Sequence, residues 1–178
     1  MSQGLLSAFL DLPGISRVRR NHALEHATMQ VLTEKYGTMR LVGRSSFGGF
    51  AIYGDIDTET LLNAAREGLG RLKAGEHSMA IHPNCGSNYV VAGTVAGLGA
   101  FISLGGLSRD REKRFVDRLA RLPLACAVAT LGIILSRPLG RAFQAHVTTE
   151  ADMDELRITG ATRTERAGTI VHFVQTEG

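Results

Sequence analysis

Three histidines, one glutamate and one cysteine in this 178-residue sequence have the types and spacing to hold a metal ion. Asn21-His22-Ala23-Leu24-Glu25-His26 sets two imidazoles one helical turn apart on a common face, with Glu25 beside them. A divalent ion such as Zn²⁺ takes neutral imidazole nitrogens, and a neighbouring carboxylate orients or deprotonates water bound to it. His82 and Cys85 lie three residues apart in the turn-rich His82-Pro83-Asn84-Cys85-Gly86 and offer a second pair of borderline or soft ligands. If all four bind, the site is closed and structural; if three bind, a water position stays open and hydrolysis follows, with Glu25 as general base. Glu76, His77 and His146 are reserves for a further ligand. Each residue also has an ordinary role. Helix-face His and Glu make common hydrogen bonds, Cys85 packs as a small buried residue, His146 caps a helix end, and Asn84, Gly86 and Asn88 shape a turn.

The elements that position these groups follow from periodicity. Residues 21–36 contain no Pro or Gly and predict a helix ending at Gly37. Met39–Val42 and Phe50–Tyr53 read as a hairpin around the Ser/Gly-rich loop 43–49, and Asp57 or Thr58 caps a helix carrying Leu61, Leu62, Ala65, Leu69 and Leu72. Met79-Ala80-Ile81 reads as a third strand. Residues 156–159 and 169–174 are two strands closing on a turn near 163–168, expected to join the same sheet. At the start, Leu5, Leu6, Phe9 and Leu10 repeat at helical spacing ahead of Arg17, Arg19 and Arg20. That pattern suits either an interfacial helix at an anionic membrane or one packed on the protein's own core.

Between Gly86 and Ser108 there is no charged residue, and the nineteen residues Tyr89–Leu107 match the roughly 30 Å of hydrocarbon a helix must cross. The second apolar run, Leu122–Ser136, has fifteen residues and reaches only about 22 Å unless it continues through Pro138 and Leu139. Gly93, Gly97, Ala100 and Gly105-Gly106 supply small residues of the kind that let membrane helices touch. A buried helix pair inside a soluble protein is the competing interpretation.

Composition narrows the classes. The chain is 44% hydrophobic with 6% aromatic residues and no Trp, and its net charge of +3 comes from short basic groups without interleaved aromatics, which disfavours nucleic acid as a partner. Two cysteines make no disulfide framework, and Met1–Leu12 lacks the basic start and small-residue cleavage site of a secretory signal. The Ser45–Gly49 loop lacks the Lys and following helix of a phosphate-binding loop.

The order His22-x-x-Glu25-His26 resembles the inverted-zincin motif of insulinase-type metallopeptidases over six residues. More broadly, Asn-His-Ala-Leu-Glu-His-Ala-Thr at 21–28, Tyr53–Thr58, His82–Asn88 and Val147-Thr148-Thr149 resemble an uncharacterised family of small bacterial two-helix membrane proteins, over about residues 18–160. That resemblance implies a membrane protein and carries no established activity.

The expected fold class is α+β: a small helix and antiparallel-sheet domain from residues 1–85 and 141–178, with a transmembrane helical hairpin inserted at 86–140 and a basic loop at 108–121. The expected function is a membrane-anchored zinc protein, a metallohydrolase of peptidase type with Glu25 as catalytic base and His22, His26, His82 and Cys85 as ligands. The competing class is a non-enzymatic assembly or partner-binding protein, whose Gly-rich hairpin packs on another membrane protein or a second copy. Membrane lipid is a partner in either case. A multi-pass cell-membrane location with the polar domain in the cytoplasm is expected, because no signal is present to translocate that domain.

Overall fold

The computed structural model describes residues 4–106, 115–166 and 168–178. It divides into two compact units, Met1–His82 with Gln144–Gly178, and Pro83–Phe143.

The first unit is an α+β sandwich. After a short helix α1 (Leu5–Leu10), helix α2 runs for 24 residues from Pro13 to Tyr36. Its start lies eight residues earlier than Asn21 because Pro13 stands in the first helical turn, where a missing N–H costs nothing and the fixed φ favours the helix. Strands β1 (Val42–Ser46) and β2 (Gly49–Tyr53) form a tight antiparallel hairpin that turns at Phe47-Gly48, so Ser45 lies in a strand and not in a loose loop. Helix α3 (Thr58–Lys73) is capped by Asp57, whose carboxylate accepts the Thr60 N–H at 2.8 Å, a cap worth about 1 kcal/mol. Strands β3 (Arg157–Arg166) and β4 (Thr169–Glu177) complete one sheet in the order β1-β2-β4-β3, every pair antiparallel.

The C-terminal strands thus join the N-terminal hairpin, with β4 inserted beside β2. Alternation along β4 buries His172, Val174 and Thr176 on one face. Val174 meets Phe50 and Ile52 of β2 and the apolar stripes of α2 (Leu24, Val31, Leu32) and α3 (Leu61, Leu72) in a single core. One expected element is absent: Met79-Ala80-Ile81 forms no strand. Residues His77–Ala80 are a 3₁₀ turn, its carbonyls taken by side chains of α2.

The second unit holds helices α4 (Gly86–Ser103), α5 (Phe115–Ala120) and α6 (Leu122–Phe143). The expected loop 108–121 is therefore helical from Phe115, and residues 107–114 lie outside the described residues. Helices α4 and α6 pack side by side. The contact uses Gly99 against Val128 and Gly132 against Val95 and Ala96, whereas a methyl group at Gly93 or Gly97 would meet nothing.

The two apolar runs also exchange roles. Helix α4 stops at Ser103 after 18 residues. The second run continues helically through Pro138 and a π turn (Gln144–Thr148), giving 27 residues from Leu122 to Thr148, about 40 Å at 1.5 Å per residue. Among the described residues this is the one helix long and apolar enough to cross a membrane. Of the two alternatives for the second run, the continuation through Pro138 and Leu139 holds, since Arg137, Pro138 and Arg141 lie inside a continuous helix.

Candidate metal centre

On α2, the rings of His22 and His26 lie with centroids 4.3 Å apart and planes tilted by 59°, and the ring of His82 stands 5.6 Å from that of His26. Ligand-capable nitrogens of His22 and His26 lie within 4.8 Å of each other. The 3₁₀ turn and the chain leaving it bring the His82 ring beside that of His26 inside the first unit.

Both α2 histidines are held through Nδ1. His22 Nδ1 contacts the Thr148 carbonyl oxygen at 2.9 Å, and His26 Nδ1 contacts the Ala80 carbonyl oxygen at 2.7 Å. A carbonyl only accepts, so each neutral ring carries its proton on Nδ1 and keeps the lone pair on Nε2. Backbone carbonyls fixing the tautomer and aim of imidazoles are the usual outer shell of a histidine metal site. His26 is 3% exposed.

His82 is fixed through its backbone. Its N–H donates to Gln144 Oε1 at 2.9 Å, and Gln144 Nε2 donates to its carbonyl at 3.1 Å. Glu25, 7% exposed, points from α2 toward β1, where the Ser45 hydroxyl donates to its carboxylate. Gly43 faces the same carboxylate, and any side chain there would run into Glu25. A side chain at position 43 would displace the Glu25 carboxylate from Ser45, and the hairpin register that pairs Gly43 with Ile52 sets the glycine opposite the acid.

Cys85 is the N-cap residue of α4 in the second unit, its Sγ 3.1 Å from Ser87 Oγ. Pro83 and Asn84 alone separate it from His82, a tether of at most about 11 Å between Cα atoms. Glu76 is ion-paired with Arg71 at 2.8 Å, and His77 and His146 are exposed.

Sequence reasoning passes over the residues that hold the histidines and Glu25. Gln144 and Thr148 lie at the end of an apolar helix, Ser45 in a stretch that read as loop, and Ala80 contributes only its backbone. Of the two expectations for the N-terminal segment, an anionic membrane or the protein's own core, the bonds of Arg17, Arg19 and Arg20 go to the protein. Arg19 donates to the carbonyls of Val147 (2.9 Å) and Thr149 (3.0 Å) and pairs with Glu150 at 3.2 Å. Arg17 donates to the Thr176 carbonyl and covers the Phe47 ring, and Arg20 donates to the Asp152 carbonyl.

Residues 17–161 match the family described as a domain of unknown function, DUF6391. An uncharacterised protein of a Picosynechococcus strain is 32% identical over 186 residues, spanning 97% of this chain and 87% of that protein. No solved structure matches. With its match running from the start of the histidine helix into β3, the chain belongs to the DUF6391 family.

Proposed function

We propose that the protein is a membrane-anchored zinc protein in which His22, His26 and His82 bind the ion and Glu25 acts as general base on water held in an open position, a metallohydrolase of peptidase type. The observation that carries it is the pair of backbone carbonyls on His22 Nδ1 and His26 Nδ1, which puts the lone pair of each neutral ring on Nε2, the form a metal takes. Three imidazoles are borderline ligands that suit zinc. A fourth protein ligand would make the centre structural instead of hydrolytic.

The anchor is the Pro83–Phe143 unit, inserted through α6 with α4 alongside as the second pass. Helix α4 buries none of its residues, and Leu98, Phe101 and Ile102 on α4 with Leu131, Ile134 and Leu135 on α6 are exposed. Apolar surface of that extent is costly in water and neutral in hydrocarbon.

Metal content of detergent-purified full-length protein tests the centre. About one zinc per chain is expected for a single-site centre, lost in His22→Ala and His26→Ala, with Glu25→Gln keeping the metal and abolishing hydrolysis of an unfolded protein substrate. Wild-type protein that takes up no zinc when supplied with it ends the hydrolase proposal.

A second, non-enzymatic reading is favoured by Gly93 and Gly97, which face open space on α4 and fit the close approach of a helix from another copy. It predicts a dimer in detergent that Gly97→Leu dissociates.

A further inference from the structure

Within the Pro83–Phe143 unit, α4 and α6 line a cavity of about 440 Å³, within the size range of small-ligand sites. One end is cationic. Arg137 and Arg141 stand four residues apart and so share a face of α6, and neither has an ion-pair partner among the described residues. Two guanidiniums side by side repel, and an anion between them removes that cost while filling their planar donor forks. Asn84 also lines the cavity.

The other end is apolar, formed by the Tyr89 ring, Ala92 and Ile133. The wall between the two ends is built and not incidental. Gly140 is buried against Asn88, whose amide donates to the Pro83 carbonyl at 2.8 Å, and buried Ser136 donates to the Ile133 carbonyl at 2.7 Å. Internal bonds thus hold the floor, while the arginine and tyrosine side chains at the opening are exposed.

Paired cations grading into hydrocarbon contact along a membrane-length helix match a phosphodiester with an acyl chain attached. We propose that this cleft binds one anionic phospholipid, with Arg137 and Arg141 on its phosphate and one acyl chain along Tyr89, Ala92 and Ile133. The proposal rests on the membrane insertion of this unit advanced above and is independent of the histidine centre.

The test uses the full chain in two assays: flotation with phosphatidylcholine vesicles, which reads insertion alone, and native mass spectrometry after exchange against phosphatidylglycerol or phosphatidylcholine of the same acyl length. Wild type is expected to float and to retain one phosphatidylglycerol in preference to phosphatidylcholine. The charge-preserving Arg137→Lys/Arg141→Lys pair is expected to float equally well and to lose about tenfold in that preference, since Lys lacks the bidentate fork. Ala92→Trp, which fills the acyl end and leaves the charges, is expected to lower phosphatidylglycerol retention as well. Protein that does not float removes the membrane reading and this proposal together. Protein that floats without headgroup preference, or a Lys pair equal to wild type, overturns the cleft alone and leaves generic attraction of cations to anionic lipid. Displacement of phosphatidylglycerol by equimolar inorganic phosphate overturns the lipid in favour of a soluble phosphate ligand.

Discussion

The side-chain amide of Gln144 pairs with the backbone of His82 on both sides, accepting its N–H at 2.9 Å and donating to its carbonyl at 3.1 Å, as a neighbouring strand would. Gln144 is fully buried, and its own carbonyl accepts both the N–H and the hydroxyl of Thr149, at 3.0 and 2.9 Å. The π turn at the end of the long apolar helix therefore sets where His82 sits. The same turn supplies the Thr148 carbonyl that orients His22. Two of the three imidazoles depend on one short segment of irregular helix.

Gln144→Ala removes both bonds and leaves the His82 N–H and carbonyl without those partners, a loss of about 1–3 kcal/mol in stability. Zinc affinity is expected to fall about 10–100-fold, the usual effect of deleting an outer-shell partner. Competition with a chromophoric chelator measures the affinity and thermal melting measures the stability. A variant that melts lower yet holds zinc as tightly as wild type would exclude His82 from the ligand set.

Stability is expected to depend on pH through His172. Burial, then the charge of Arg163, holds its folded pKa below the ordinary 6.5, while Asp57, the Ile56 backbone and Asp55 act more weakly the other way. Below pH 6.5 the unfolded chain takes up a proton at this position that the folded chain refuses, so the unfolded state binds more protons and folding weakens. The contribution is complete above pH 6.5 and is lost as pH falls from there toward the folded value, at no more than about 1.4 kcal/mol per pH unit. Urea midpoints at pH 7.5 and 5.5 should differ for wild type and converge for His172→Leu, which keeps a buried side chain without a titrating nitrogen. Asp57, whose carboxylate is lowered chiefly by the Thr60 backbone bond, acts only below its ordinary 3.8 and does not enter this window.

The α+β class, the existence of α2 and α3, and the joining of the C-terminal strands to the N-terminal hairpin were legible because period-3.6 and period-2 burial act locally along the chain. Met79-Ala80-Ile81 was not, since an apolar triplet suits a strand equally well. Its backbone is diverted because His26 and Gln30 of α2 take the carbonyls of Met79, Ala80 and Ile81. The histidine pair and Glu25 could be read from spacing, but Ser45, Gly43 and Gln144 could not, because their roles exist only once the sheet register and the π turn bring distant segments together. The length of α6 was not legible for a related reason. Arg137 and Arg141 mark a span's edge in a sequence count, whereas the helix carries them through as part of its own surface.

Arg19 is the residue whose role changes most between sequence and structure, and removing it separates the two. As one cation of a membrane-facing cluster, its loss would weaken vesicle binding at low salt and leave folding intact. Instead the guanidinium is nearly buried, at 10% side-chain exposure, and bonds the Val147 and Thr149 carbonyls and the Glu150 carboxylate at once. Those acceptors flank the Thr148 carbonyl that orients His22, so Arg19 fastens the returning chain to α2 next to the candidate centre. Arg19→Ala leaves buried acceptors unsatisfied and is expected to cost about 2–4 kcal/mol, with zinc affinity falling alongside. The exposed Arg157–Glu177 pair, at 71% and 60% side-chain exposure, is the internal control: breaking it by Arg157→Ala should cost under about 1 kcal/mol and vanish in high salt. Urea unfolding of both variants at low and high salt reads the contrast. A loss at Arg19 as small and as salt-sensitive as that at Arg157 would return Arg19 to the surface role.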